Sequence, residues 1–190
     1  MLFGEQPIDT VELAKFVIEQ FEKLPGGRIK TAQSKPWTQA IYSGLSELAQ
    51  SKGLLVSYEN PLDVIWRLPP PRCDIVLGVE CEWNYCNDVL FDFEKLMHIK
   101  SPLKLMICSV TRGGGPNSNN TVMLERLRKE YLAPFGQHIR GETYLLVNFF
   151  GSTRGGWTAD ADCYQFVVPE DGKIETASFA PLVLAKTATP

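Results

Sequence analysis

The chain has 190 residues, 44% of them hydrophobic and 22% charged, which is the composition of a soluble globular protein with a sizeable core. Its net charge of -3 argues against a protein that coats nucleic acid through bulk positive charge, but it is compatible with a local basic cleft. No apolar run approaches the ~18 residues that span a bilayer, and the first ten residues contain no apolar segment of signal-peptide length. The sequence therefore predicts a cytoplasmic protein that forms a single domain over 1–190 and has no membrane partner.

The five cysteines are spread along the chain and form no CxxC pair. Neither a disulfide framework nor a zinc site is therefore predicted. We expect buried free thiols, because free cysteine is among the most buried residue types.

Two helices are predicted in the N-terminal part. Apolar residues recur with helical spacing over 9–24, where Asp9 precedes the first turn and Glu12 completes a capping-box pattern. A second helix is predicted over 34–53, with Pro36 in its first turn and a glycine at its end. A polar, basic loop joins the two helices.

The rest of the chain alternates between strand and helix patterns. Strands are predicted over 54–59, 62–68, 74–83, 103–110, 142–151 and 162–169, and helices over 87–100 and 121–135. The first strands should be antiparallel, and the strand–helix–strand unit that follows should be parallel and right-handed. Together these elements predict an α/β fold with a central mixed β-sheet flanked by helices.

Two glutamates share one face of the predicted strand GVECEW. Because side chains alternate along a strand, Val79 and Cys81 point one way, and Glu80 and Glu82 point the other. Asp63 lies on the preceding strand, and a hairpin through the triple proline would bring it beside them. Converging carboxylates repel one another, and a hard divalent cation such as Mg²⁺ would relieve the repulsion and support phosphoryl chemistry. The alternative is that these acids simply face solvent on a half-exposed sheet.

Lys95 lies on the helix that follows the acid-bearing strand. Its long apolar stem could bring the ammonium over the same end of the sheet, where it would orient a phosphate or the attacking water. The alternative is a solvated helix residue or an ion pair with Asp92, three residues earlier on the same helix.

The segments PLDVIW, VLGVECEWN and FDFEKLMHIKSPLKLMIC resemble, in this order, the core of the PD-(D/E)xK nuclease superfamily, whose fold is called restriction-endonuclease-like. The resemblance covers roughly 36–111. In that superfamily an Asp on one strand and a Glu-x-Lys on the next bind Mg²⁺ and cleave phosphodiester bonds. The resemblance implies that Asp63 and Glu80 bind Mg²⁺ or Mn²⁺ together with the backbone carbonyl of Cys81. Glu82 stands where the pattern has Lys; some members use Glu there, and in others the neighbouring helix supplies the lysine, which implies catalytic roles for both Glu82 and Lys95.

The resemblance thus implies a metal-dependent nuclease that hydrolyses phosphodiester bonds, with DNA expected as substrate more than RNA. The alternative is a catalytically inactive protein that keeps the nuclease fold and serves as a nucleic-acid-binding or protein-interaction module. Arg28, Lys30, Lys35 and Arg112 lie in basic or glycine-rich loops and are further candidates for contact with a nucleic-acid backbone, although ordinary solvated loops also explain them. A homodimer is compatible with all of these features.

Overall fold

The structure is a computed structural model that describes residues 8–23, 35–58, 61–83, 86–109, 120–151 and 157–184. Its helices are α1 (Thr10–Glu22), α2 (Lys35–Ser51), α3 (Cys86–Met97) and α4 (Asn120–Arg126). A π-helical segment, Leu127–Leu132, continues α4, and a 3₁₀ helix covers Ile174–Thr176. Its strands are β1 (Leu55–Ser57), β2 (Val64–Arg67), β3 (Ile75–Glu82), β4 (Leu103–Ser109), β5 (Thr143–Gly151), β6 (Trp157–Val167) and β7 (Ala180–Pro181).

The seven described strands form one sheet, in which each strand lies next to its neighbours in sequence. β1, β2 and β3 are antiparallel to one another, β3, β4 and β5 run parallel, and β6 and β7 return to the antiparallel arrangement. The two parallel connections contain α3 and α4, because a parallel pair needs a long crossover. The predicted α/β class, with a mixed sheet flanked by helices, is confirmed at this level of detail.

The helices cover both faces of the sheet. α1 and α2 pack on the face that carries Val79, where Leu13 and Trp37 belong to a first hydrophobic core. α3 and α4 pack on the opposite face, where Leu96 and Met123 belong to a second core. β4 is buried along its whole length because both of its faces are covered, in keeping with its nearly unbroken apolar sequence.

The predicted start of the first helix is confirmed. The carboxylate of Asp9 accepts hydrogen bonds from the backbone N–H groups of Val11 at 2.7 Å and Glu12 at 3.1 Å, which satisfies donors that the helix itself leaves unpaired. α1 and α2 approach closely at Gly44, where a Cβ atom would lie only 2.6 Å from Cγ of Gln20. The absence of a side chain at this position therefore permits the observed helix packing.

Two parts of the C-terminal region differ from the sequence prediction. β6 begins at Trp157 rather than at 162, because its backbone pairs with β5 along nearly the whole of that strand. The 3₁₀ helix and β7 were not predicted, since the sequence after 169 has no clear apolar period. β7 forms only because β6 offers it an edge to pair with.

The thiols of all five cysteines are free. Cys81, Cys108 and Cys163 are buried as predicted, and Cys86 is half-buried. The expectation of burial is wrong for Cys73, which is exposed because it lies in the turn between β2 and β3, outside both cores. None of the described helices combines the length and apolar character needed to cross a membrane.

Candidate functional site

The hairpin of β2 and β3 brings Asp63 and Glu80 together. Val64 pairs with Val79 across the two antiparallel strands, so Asp63, which immediately precedes β2, lies opposite Glu80. Oδ2 of Asp63 accepts a hydrogen bond of 2.9 Å from the backbone N–H of Cys81. The carboxyl groups of Asp63 and Glu80 are close enough for each to act on the other's charge. The two acids that the sequence singled out as metal ligands are therefore neighbours.

Glu80 is almost wholly buried, with 1% of its surface exposed. Burial and the negative charge of Asp63 raise the pKa of Glu80 to about 9, although the nearby ammonium of Lys95 opposes the shift. Without a cation, Glu80 is therefore protonated at neutral pH, and this proton makes the two adjacent carboxyl groups tolerable. Oε1 of Glu80 is buried and has no hydrogen-bond partner; the closest charged group is the ammonium of Lys95, 3.6 Å away.

α3 directs Lys95 toward this pair of acids. Nζ of Lys95 lies 2.6 Å from Oδ1 of Asp92 and 3.6 Å from Oε1 of Glu80. Burial alone would lower the pKa of Lys95, but the hydrogen bond with Asp92 and the charges of Glu80 and Asp63 outweigh it, so the pKa is raised. The two interpretations of Lys95 that the sequence left open, an ion pair on the helix and a member of the acid site, therefore both hold.

Gly78 of β3 is packed closely against Leu62, next to the site. A Cβ atom at this position would lie 2.9 Å from Cδ1 of Leu62 and 3.7 Å from Cδ2 of Leu96. Gly78 shares a face of β3 with Glu80, two residues further along the strand, and Leu96 is adjacent to Lys95 on α3. An added side chain would therefore press on Leu62, whereas its contact with Leu96 of α3 would be an ordinary van der Waals contact.

Tyr42 of α2 belongs to the site, although nothing in the sequence pattern indicated it. Burial, the proximity of Cys81 and the nearby carboxylate of Asp63 raise the pKa of Tyr42. The ring of Tyr42 lies 6.2 Å from that of Tyr58, whose hydroxyl hydrogen-bonds to Ser46 of α2. A tyrosine in an amphipathic helix carries no sequence signal for this role, because only the packing of α2 on the sheet decides what it reaches.

Glu82 does not join Asp63 and Glu80 in a three-acid site. It lies further along the same face of β3, where it is paired in register with Cys108 of β4. Together with burial and Cys86, it raises the pKa of the Cys108 thiol. Among the residues that the structure describes, no group of three or more His, Cys, Asp or Glu side chains is placed to hold a metal ion. The expected convergence of three carboxylates is therefore wrong. Only Asp63 and Glu80 are adjacent, because Glu82 lies two residues beyond Glu80 along β3 and Asp63 lies opposite Glu80.

The remaining candidates do not reach the site or lie outside the described part of the chain. Arg28, Lys30 and Arg112 fall outside the described residues, and Lys35 begins α2 with a side chain that is not described. Their predicted contacts with nucleic acid stay predictions. Asp74, which begins the predicted strand 74–83 and is the alternative to Asp63 as the first acid, is exposed before β3 and forms an ion pair of 3.2 Å with Arg72.

A second group of buried charged residues lies toward the amino ends of β4 and β5. Nζ of Lys104 lies 2.5 Å from Oε2 of Glu142 and 3.1 Å from the hydroxyl oxygen of Tyr144. Nδ1 of His138 lies 2.8 Å from Oε1 of Glu142. Lys104 and Glu142 are each 1% exposed, so this is a fully buried ion pair. The available sequence signal was a single lysine within the apolar run LKLMICSV.

The fold and the site together define an α/β protein with two adjacent acids and a lysine at the end of a β-hairpin. Comparison with known proteins adds no relative, since no protein-family model matches this chain and no curated protein matches it either. The function must therefore be inferred from the residues and their geometry.

Proposed function

We propose that this protein is a metal-dependent nuclease with a restriction-endonuclease-like core, which hydrolyses phosphodiester bonds in nucleic acid, with DNA as the expected substrate. The observation that carries this proposal is the meeting of Asp63, Glu80 and Lys95, which come from the start of β2, from β3 and from α3. This is the set of groups that the resemblance to PD-(D/E)xK nucleases implies, with the lysine supplied by the helix instead of the strand.

The donors at the site suit a hard divalent cation such as Mg²⁺ or Mn²⁺. Asp63 and Glu80 offer carboxylate oxygens, and the buried Oε1 of Glu80 has no hydrogen-bond partner. Mg²⁺ commonly takes one or two protein carboxylates and completes its shell with water and substrate phosphate. Two acids, with the backbone carbonyl of Cys81 as the further expected ligand, are therefore sufficient without a third carboxylate.

Each residue has a distinct task in the proposed reaction. When bound, the cation would lower the pKa of a water molecule and draw negative charge from the scissile phosphate. Asp63 is held in place by the hydrogen bond from the N–H of Cys81. Glu80 must release its proton to bind the cation, and Lys95 places a positive charge where a phosphate oxygen or the attacking water would lie.

Glu82 has a supporting role in this proposal. It lies further along the face of β3 that carries Glu80, and it replaces the lysine of the usual motif. From this position it would complete the hydration shell of the cation or accept a proton from the attacking water. Its half-buried side chain is compatible with either task.

Cleavage assays test the proposal directly. Plasmid, single-stranded DNA and RNA should each be incubated with the protein in Mg²⁺, in Mn²⁺ and in EDTA. We expect cleavage only with a divalent cation, loss of cleavage in Glu80→Gln and in Lys95→Met, and retained cleavage in Glu94→Gln, which changes an exposed acid of the same helix. Equal cleavage by wild type and Glu80→Gln would contradict the proposal.

An inactive protein that binds nucleic acid or another protein is the second candidate. The charge balance of the site favours it, because Lys95 already pairs with Asp92 and a protonated Glu80 needs no cation. Melting curves separate the two candidates. Mg²⁺ should raise the Tm of a metal-dependent nuclease but not that of Glu80→Gln, whereas an inactive protein should give the same Tm with Mg²⁺ and with EDTA.

A further inference from the structure

Lys95 is less exposed, and makes more contacts, than its position on a helix would lead one to expect. A lysine side chain is long and flexible, and on the outer part of a helix it normally extends into water. The side chain of Lys95 is instead only 29% exposed, and its ammonium contacts two carboxyl groups. A catalytic ammonium must be held in place, because a small displacement from the productive geometry costs a large part of the rate.

Asp92 is the strongest contact of this ammonium. The distance from Nζ of Lys95 to Oδ1 of Asp92 is 2.6 Å, a full ångström shorter than the distance to Oε1 of Glu80. Asp92 is itself buried, with 8% of its surface exposed, unlike the solvated partners of ordinary helix ion pairs such as Glu125 and Lys129. A buried carboxylate is costly unless it is paired, so Asp92 and Lys95 hold each other in one arrangement.

The exposed ring of Phe91 also contacts the ammonium of Lys95. Its ring centroid lies 5.5 Å from Nζ of Lys95, within the range of a cation–π contact. Phe91 is 64% exposed, which is unusual for a phenylalanine and is not explained by core packing. Its contact with the ammonium of Lys95 accounts for the position of the ring.

We propose that Asp92 and Phe91 are positioning residues that hold the ammonium of Lys95 beside Glu80, between a buried carboxylate and an aromatic ring. On a strand, as in the usual motif, the short distance to the acids would fix a lysine. On α3, Asp92 and Phe91 fix the lysine instead. The catalytic role of Lys95 in this inference rests on the proposed nuclease function. The fixed position of its ammonium does not.

The ordering can be measured without any activity. Protein labelled with ¹⁵N only at lysine should give an observable ammonium signal for Lys95, assigned by its loss in Lys95→Arg, because hydrogen bonding and burial slow proton exchange with water. We expect the signal to vanish in Asp92→Asn, to weaken in Phe91→Ala and to persist in the matched control Glu94→Gln. Absence of the signal in wild type, or its persistence in Asp92→Asn, would overturn the proposal.

Kinetics then test the positioning role in the reaction. Asp92→Asn should lower kcat for metal-dependent cleavage by about 10- to 100-fold with little change in KM, as for residues that orient a catalytic group. Phe91→Ala should cost about 2- to 5-fold, and Phe91→Tyr, which keeps the ring, should cost less. Asp92→Glu should recover part of the rate lost in Asp92→Asn. An unchanged kcat in Asp92→Asn, or an equal loss in Glu94→Gln, would refute the role.

Failure of the proposed function and failure of the positioning inference give different results. If wild type cleaves no nucleic acid but Asp92→Asn releases the Lys95 ammonium, the proposed function fails and the positioning inference stands. If wild type cleaves with metal and Asp92→Asn changes neither the ammonium signal nor kcat, the inference fails and the function stands. Phe91 is exposed, so its variants should fold normally and keep the test valid even if Asp92→Asn melts early.

Discussion

Replacing Glu80 with glutamine should make the protein more stable, and the gain should grow with pH. In the folded protein without a cation, burial and Asp63 raise the pKa of Glu80 from 4.5 to about 9. In the unfolded chain Glu80 loses its proton at its ordinary pKa, so between these two values the unfolded state binds fewer protons than the folded state. The free energy of unfolding of wild type must therefore fall as pH rises across this window, and it is unaffected by Glu80 below it.

The size of the loss in the free energy of unfolding follows from the width of the pH range between the two pKa values. Each pH unit costs up to about 1.4 kcal/mol, so wild type would lose up to about 4 kcal/mol between about pH 5 and about pH 8 through Glu80 alone. We expect about half of this bound, about 2 kcal/mol, because the buried site relaxes and admits water when Glu80 ionises. Glu80→Gln cannot ionise and should escape the loss.

Urea unfolding in EDTA at several pH values provides the measurement. The difference in the free energy of unfolding between Glu80→Gln and wild type should be smallest near pH 5 and increase toward about pH 8. Glu94→Gln, which changes an exposed acid of α3, is the control and should show no such increase. A difference that is constant with pH would mean that Glu80 titrates normally and would refute the argument that the buried pair carries a proton.

Three further outcomes follow from the same contacts. Mg²⁺ should raise the Tm of wild type more at about pH 8 than at about pH 6, because the cation must displace the proton of Glu80; equal shifts at both pH values would count against this exchange. Lys104→Met should lower the free energy of unfolding by about 3–5 kcal/mol in urea titrations, because it leaves Glu142 buried without its ammonium, and a loss below about 1 kcal/mol would show that water reaches the pair. Gly78→Ala should lower the free energy of unfolding by about 1–3 kcal/mol, since the added methyl group meets Leu62, and an unchanged midpoint would mean that Leu62 moves aside freely.

Much of the candidate site was predictable from local sequence because a hairpin is a local structure. The alternation of GVECEW places Glu80 on the face opposite Val79, and the strand before the triple proline must pair with it in antiparallel register. Those two facts are enough to bring Asp63 to Glu80. The same alternation led to the wrong prediction that Glu82 joins Asp63 and Glu80. Two residues on the same face of a strand need not lie close to the same third residue.

By itself, the sequence determined the order of helices and strands as far as β6, the two faces of β3 and the juxtaposition of Asp63 with Glu80, since each depends on residues close together in the chain. Only the tertiary structure decided that Tyr42 reaches Asp63, that Lys104 pairs with Glu142, and that β7 adds to the sheet. Those contacts join segments far apart in sequence, and they depend on how helices pack on the sheet and on where strand edges remain open. Burial then set the chemistry, because the same glutamate that would be an ordinary surface acid in water keeps its proton at neutral pH when it is buried beside Asp63.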